Sequence, residues 1–115
     1  NSRTIEPVDS IEISVEWPTE HVRHIADLKI DTLGDCWVSS TSDPGDDGPF
    51  SSALYRLGRF QIEDNQINFY PVLSRTPVFK FETHKVEGFE FIENGVIAAT
   101  DDENFGGYLK TFYFK

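Results

Sequence analysis

Apolar and polar positions alternate with a period of two along most of the chain. In the first such run, one face of a strand would carry Ile11, Ile13, Val15 and Trp17. Short alternating runs rich in β-branched and aromatic residues are typical of half-buried strands, and no window shows the 3.6-residue period of a helix. Further predicted strands cover residues 25–30, 36–41, 53–62, 67–72, 78–82, 86–92, 96–100 and 108–114. The pattern predicts an all-β fold.

Turn-forming residues separate these runs. They are Leu33-Gly34-Asp35, Asp43-Pro44-Gly45, Glu63-Asp64-Asn65, Glu93-Asn94-Gly95 and Phe105-Gly106-Gly107. Asn94-Gly95 is a strong hairpin signal, because both residue types tolerate the positive φ angles of a tight turn. About nine short strands joined by turns predict an antiparallel meander.

The two halves of the chain also resemble each other. Residues 25–30 align with 86–91, residues 37–41 with 96–100, and residues 50–54 with 105–109. Each unit would be a strand, a turn, a strand, an acidic loop and a strand, and residues 67–72 add a fourth strand to the first. Four-stranded antiparallel units repeating at about 40–60 residues are typical of β-propeller blades. We therefore predict blade-like repeats at about 24–73 and 78–115, with a chance similarity as the alternative.

A propeller closes with about four to eight blades, whereas this sequence supplies two. The chain would then be part of a larger propeller, or a subunit that completes a ring as a homo-oligomer. Because it does not begin with Met, we expect a processed form or a piece of a longer protein. The alternative fold is a small up-and-down β-barrel or sandwich.

Two segments of the second half form a recognisable pair of motifs. Residues 85–91 read KVEGFEF, and residues 95–107 read GVIAATDDENFGG. A Val-Glu-Gly strand followed by an acidic loop ending in two glycines resembles blades of bacterial β-propeller proteins of the esterase-like or phytase-like group. Residues 39–43 and 48–57 resemble the same pattern, so the resemblance covers residues 24–115. It implies a propeller fold and, because the group includes calcium-dependent phosphate-ester hydrolases, a phytase-like activity as one function.

Composition narrows the classes of partner and site. The 115 residues fit one domain, and ten Lys and Arg against twenty Asp and Glu give a formal charge of −10. That charge disfavours nucleic acid and anionic membranes as partners. No run approaches the roughly 20 apolar residues of a spanning helix, so we expect a soluble protein, with secretion or a periplasmic location left open. The single cysteine, Cys36, beside Trp37 in an apolar run, is expected to be a buried, unreactive thiol.

The acidic loops are the first candidate site. Hard cations such as calcium take six to eight oxygen ligands, and both loops offer carboxylates on turn-prone backbone. The candidate ligands are Asp43, Asp46, Asp47, Asp101, Asp102 and Glu103. In a propeller the two loops would lie on one rim. The alternative is that both are solvated connections, since neither has the spacing of a twelve-residue calcium loop.

Three residues near the start of the predicted strand 86–92 offer further chemistry. His84 and Glu87 could form a general acid/base pair, although surface histidines without a role are common. Glu87 and Asp27 occupy the same position in the two repeats and, with Lys85, are candidates for binding a polar ligand. His21 and His24 could share a zinc ion only if their segment is a loop, because a spacing of three separates them on a strand.

Two functions remain open from the sequence. The first is a non-enzymatic module, organised by a cation such as calcium, that binds a small polar ligand or a protein partner. The second is a calcium-dependent phosphoester hydrolase in which Lys85, Arg23 or Arg75 receives phosphate. The phenylalanines at alternate strand positions are expected in the core, whereas residues 111–114, apolar on both faces, are expected to contact another chain.

Overall fold

The all-β prediction is confirmed by a computed structural model, which describes residues 4–115. Strands make up 51% of the described residues and helix 3%, and one sheet curls into a half-barrel. The elements are β1 Val22–Ile30, β2 Asp35–Ser42, β3 Ser51–Glu63, β4 Gln66–Pro71, β5 Phe79–Phe81, β6 Val86–Ile92, β7 Gly95–Thr100, the 3₁₀ turn Glu103–Phe105, and β8 Leu109–Tyr113. Across residues 4–115, no helix has the length and apolar character needed to cross a bilayer.

The strands form two antiparallel sheets. The first has the order β1-β2-β3-β4, with β5 also paired to β3, and the second has the order β6-β7-β8. The 13-residue β3 pairs with β2 along one edge and with β5 and then β4 along the other. Consecutive strands are neighbours from β1 to β4 and from β6 to β8, as the predicted meander requires, whereas β5 pairs with β3 and not with β4.

The first sheet is covered on both of its faces. Between the sheets lies a core of Trp37, Leu54, Phe81, Val86, Phe89, Val96 and Ala98. The opposite face carries a second core of Cys36, Val38, Ala53, Tyr55 and Leu57. Because successive residues of a strand point to opposite faces, β2 is buried along its whole length. The prediction of a buried Cys36 is confirmed, and burial raises the pKa of its thiol.

The predicted strand from Ile11 to Trp17 is wrong, because this segment is irregular and pairs with no strand. Its alternation nevertheless has a cause: Ile13, Val15 and Trp17 pack on the second core while the residues between them are exposed. Apolar side chains that cover a sheet face follow the same period as those within a strand. We call residues 4–17 the strap.

The predicted hairpin near Asn94 is confirmed, but its loop lies one residue earlier than expected. Ile92 pairs with Gly95, so the two loop residues are Glu93 and Asn94, and Asn94 has a φ of 61°. Gly95 instead begins β7, where an added Cβ would lie 1.9 Å from the carbonyl oxygen of Phe112. Glycine is required there because strand β8 approaches closely.

Each predicted repeat contains a three-stranded meander with an acidic loop between its second and third strands, namely β1-β2-β3 and β6-β7-β8. Strand β5, at the start of the second predicted repeat, pairs with β3 of the first sheet. The repeat itself and its relation to propeller blades stay predictions.

Candidate functional site

The two acidic loops meet at Lys85, which directly precedes β6. The Lys85 ammonium lies 2.6 Å from Glu103 Oε1, 3.1 Å from Asp43 Oδ2 and 3.5 Å from Glu87 Oε1. We call Lys85 and these three carboxylates the loop junction. The hydrogen bond to Glu103 is the main reason that the pKa of Lys85 is raised, and burial opposes it. Lys85 is therefore a buried, charged ammonium that joins a loop from each sheet.

Asp102 holds the second loop against the start of β6. Its buried carboxylate accepts hydrogen bonds from the Lys85 backbone N–H at 2.7 Å and from the Thr100 hydroxyl at 3.2 Å. His84 Nδ1 lies 2.6 Å from the same carboxylate. These contacts engage both oxygens of Asp102 within the chain. The predicted pair of His84 with Glu87 is not formed, because His84 contacts Asp102 and Glu87 contacts Lys85.

The other candidate calcium ligands have different surroundings. Asp47 accepts a hydrogen bond from Asn104 Nδ2 at 3.0 Å, which is a second bridge between the loops. Asp101 accepts from the backbone N–H of Glu103 at 3.1 Å, and Asp46 is exposed. Among residues 4–115, no group of three or more His, Cys, Asp or Glu side chains is arranged to hold a metal ion. Between Asp43 and Glu103, the place of a cation is taken by Lys85.

The remaining polar candidates are dispersed. Asp27 accepts a hydrogen bond from the backbone N–H of Phe89 at 3.1 Å and so ties β1 to β6. His21 and His24 are both exposed at the beginning of β1. The structure therefore places Lys85 and Glu87 together, whereas Asp27 forms a separate hydrogen bond that links the two sheets.

The three basic residues predicted to receive phosphate are engaged in two different regions. Lys85 belongs to the loop junction, and Arg23 Nη2 lies 3.5 Å from Asp43 Oδ2. Arg75 instead donates from Nη1 to the Ser14 carbonyl of the strap at 3.0 Å. A polar cavity of about 240 Å³ beside Arg23, Lys85 and Glu87 is the open part of this region.

A second, apolar cavity of about 360 Å³ lies between the strap and the first sheet. We call it the strap cavity. Its walls are Ile25 and Leu28 of β1, Cys36 of β2, Leu57 and Phe60 of β3, and Ile67 and Phe69 of β4, and its strap side is formed by Val8, Asp9, Ser10, Ile11 and Ile13. Several wall residues remain open to water: Leu28 is 46% exposed and Ile67 is 66% exposed.

Sequence reasoning did not identify the strap cavity. A signal was present, since the strands of the first sheet carry apolar residues on the face that the strap covers. However, alternating apolar residues predict an apolar face without showing how closely it is covered, and only the curvature of the sheet and the path of the strap leave space there. Comparisons of the chain with protein-family models, with curated proteins and with solved structures found no match.

Proposed function

We propose that this protein is a non-enzymatic binding module that takes a small, uncharged, apolar molecule into the strap cavity. The observation that supports this is an apolar cavity whose walls remain in contact with water. Its volume of about 360 Å³ falls within the range of small-molecule sites, which are concave and mostly apolar. A ligand that filled it would remove wall residues such as Leu28 and Ile67 from water, which is favourable in proportion to the apolar area buried.

The residues around the cavity argue against an anionic ligand. Among residues 4–115, its polar lining residues are Asp9 and Ser10, and none of the Lys, Arg or His side chains in that range contributes to the lining. An anion would lose its hydration without gaining a partner, and the formal charge of −10 would repel it. An uncharged apolar molecule has no charge to dehydrate and is not repelled by the charge of the protein.

The loop junction has an organising role in this proposal. A cation held between the two loops was expected from the sequence, and the Lys85 ammonium supplies one from the chain itself. A buried charge needs such partners, because removing it from water is costly. The module thus holds its two sheets together with an internal ion cluster and leaves the strap cavity for ligand.

The alternative, a calcium-dependent phosphoester hydrolase, has no comparable contact in its favour. Calorimetric titration of the chelated protein with calcium tests this alternative, and a phosphomonoesterase assay follows if calcium binds. Absence of calcium uptake would exclude the hydrolase.

Ring closure by homo-oligomerisation also stays a prediction. Light scattering tests it, since a monomer in solution would contradict it.

A matched pair of fluorescent probes tests the binding function. N-phenyl-1-naphthylamine is uncharged, and 1-anilinonaphthalene-8-sulfonate carries the same rings with an added sulfonate. We expect saturable fluorescence enhancement with the uncharged probe and much weaker binding of the sulfonate. Equal binding of both would contradict the proposed ligand class, and absence of saturable binding of the uncharged probe would contradict the function.

A pair of variants on β1 tests whether the probe binds in the strap cavity. Leu28→Gln changes a cavity wall residue, whereas Ile30→Gln changes a residue of similar exposure that lies outside the cavity lining. The lost apolar contact should weaken probe binding about tenfold in Leu28→Gln and leave Ile30→Gln close to wild type. Equal affinities of the two variants would show that the probe binds elsewhere.

A further inference from the structure

The C-terminal end of the strap is firmly attached to the first sheet. The Tyr55 hydroxyl accepts a hydrogen bond from the Trp17 backbone N–H at 3.0 Å and donates to the Trp17 carbonyl. Arg75 binds the Ser14 carbonyl, and the Lys80 ammonium lies 4.8 Å from the centre of the Trp17 ring. Residues 14–17 are therefore fixed to the first sheet.

Residues 4–12 have no comparable attachment to any other part of the described chain. Their hydrogen bond is a local one, from the Ser10 backbone N–H to Asp9 Oδ1. Val8 and Ile11 nevertheless line the strap cavity, although Val8 is 90% exposed and Ile11 is 51% exposed. Two apolar side chains thus lie at the cavity with most of their surface in water.

We propose that residues 8–11 form a closing wall of the strap cavity, which folds onto the bound ligand through Val8 and Ile11. This inference rests on the proposed binding function. Without a ligand, contact of these side chains with the distant walls would require the cavity to collapse. An apolar ligand fills that gap, so that the side chains and the ligand leave water together. The fixed residues 14–17 provide the point from which the free part of the strap moves.

The same geometry adds a requirement on the ligand. It must present apolar surface on two sides, toward the β-sheet walls and toward Val8 and Ile11. A molecule with a polar group on the strap side would bury that group against aliphatic carbon without a hydrogen-bond partner, which is unfavourable. We therefore infer selection for ligands that are apolar along both faces.

Polar substitution of the strap tests the inference with a control on the same segment. The double variant Val8→Ser with Ile11→Ser removes the proposed wall, whereas Ile5→Ser changes a residue that is 95% exposed and outside the lining. Because all three side chains are largely exposed, the urea midpoint should stay close to that of the wild type. We expect N-phenyl-1-naphthylamine to bind the double variant about tenfold or more weakly and Ile5→Ser normally.

The outcomes separate the inference from the function on which it rests. If the wild type binds the probe and the double variant binds equally well, the strap proposal is wrong while the binding function stands. If the wild type shows no saturable binding, both are wrong.

Proteolysis provides an independent readout of closure. A Glu-specific protease can cleave after Glu12, and mass spectrometry identifies this cut, whereas the bond after Glu6 resists cleavage because Pro7 follows it. Saturating probe should slow cleavage after Glu12 in the wild type but not in the double variant. Cleavage of the wild type at the same rate with and without bound probe would overturn the proposal.

Discussion

The ammonium of Lys85 lies 3.1 Å from Asp43 Oδ2 and thereby joins the loop after β2 to the strand that opens the second sheet. Glu103 completes the link from the loop after β7, at 2.6 Å. The Lys85 ammonium thus occupies the position between the two acidic loops that a bound metal ion could otherwise fill.

Replacing Lys85 by Met should destabilise the protein. Glu87 and Glu103 would then lose their ammonium partner, and Asp43 would keep the exposed Arg23 at 3.5 Å as its cationic partner. Removing one partner of a buried ion pair leaves an uncompensated charge. We expect a loss of about 2–3 kcal/mol in the free energy of unfolding, measured by urea denaturation. Lys115→Met, at an exposed lysine, is the control and should have little effect.

The same variant should respond to calcium. Three carboxylates without the Lys85 ammonium are a start toward an oxygen-ligand site, so millimolar calcium should raise the urea midpoint of Lys85→Met more than that of the wild type. An unchanged midpoint of the variant in the absence of calcium would contradict an organising role for Lys85.

Stability at acidic pH should depend on Asp35. Arg59 donates to both carboxylate oxygens, at 2.8 and 3.1 Å, and this hydrogen bonding is the main reason that the pKa of Asp35 is lowered. A carboxyl whose pKa is lower in the folded state stabilises the fold above its unfolded pKa of about 4 and loses that effect as the pH falls. Arg59→Gln should therefore be less stable near pH 7, with the difference narrowing below about pH 4.

Urea midpoints measured from about pH 2.5 to 7, on both sides of the ordinary Asp pKa of about 4, check this expectation. Arg75→Gln removes the same charge from a residue bound to a backbone carbonyl, so its effect should vary less with pH. A constant difference between Arg59→Gln and the wild type across the range would show that the ion pair is not the cause.

A methyl group at Gly95 should separate β7 from β8. The added Cβ would lie 1.9 Å from the Phe112 carbonyl oxygen, which is backbone and cannot rotate away. We expect Gly95→Ala to lose about 1–3 kcal/mol of stability, seen as a lower thermal midpoint. At Gly88 the nearest atom is Asp27 Oδ2 at 3.6 Å, so Gly88→Ala is a matched control. Equal midpoints for the two variants would contradict the strand contact.

Local patterns predicted much of the fold because strands and turns are encoded over a few residues. The alternation in 86–92 and the Asn94 turn specify a hairpin without reference to the rest of the chain. The strap shows where this reasoning fails, because Ile13 and Val15 alternate as in a strand, but whether a backbone pairs with a neighbour depends on a distant edge.

The candidate site was less predictable, because roles there depend on tertiary contacts. Asp101 and Asp102 are adjacent and chemically identical, yet Asp102 is buried under Lys85 and His84 whereas Asp101 is exposed. The sequence motif that contains Lys85 is enough to predict it as a binding residue. Its actual partners include Asp43, which is 42 positions away in sequence, and only the packing of the two sheets brings them together.

Within residues 4–115 the chain crosses once between the sheets, from Phe81 to Val86, and this order has a consequence for synthesis. All five strands of the first sheet are made before any strand of the second. Until the last three strands emerge, the face bearing Trp37, Leu54 and Phe81 lacks the cover that the second sheet provides. A nascent chain at that stage would expose an aromatic surface to chaperones and to other nascent chains. Completion of the second sheet is thus the step that ends this exposure during translation.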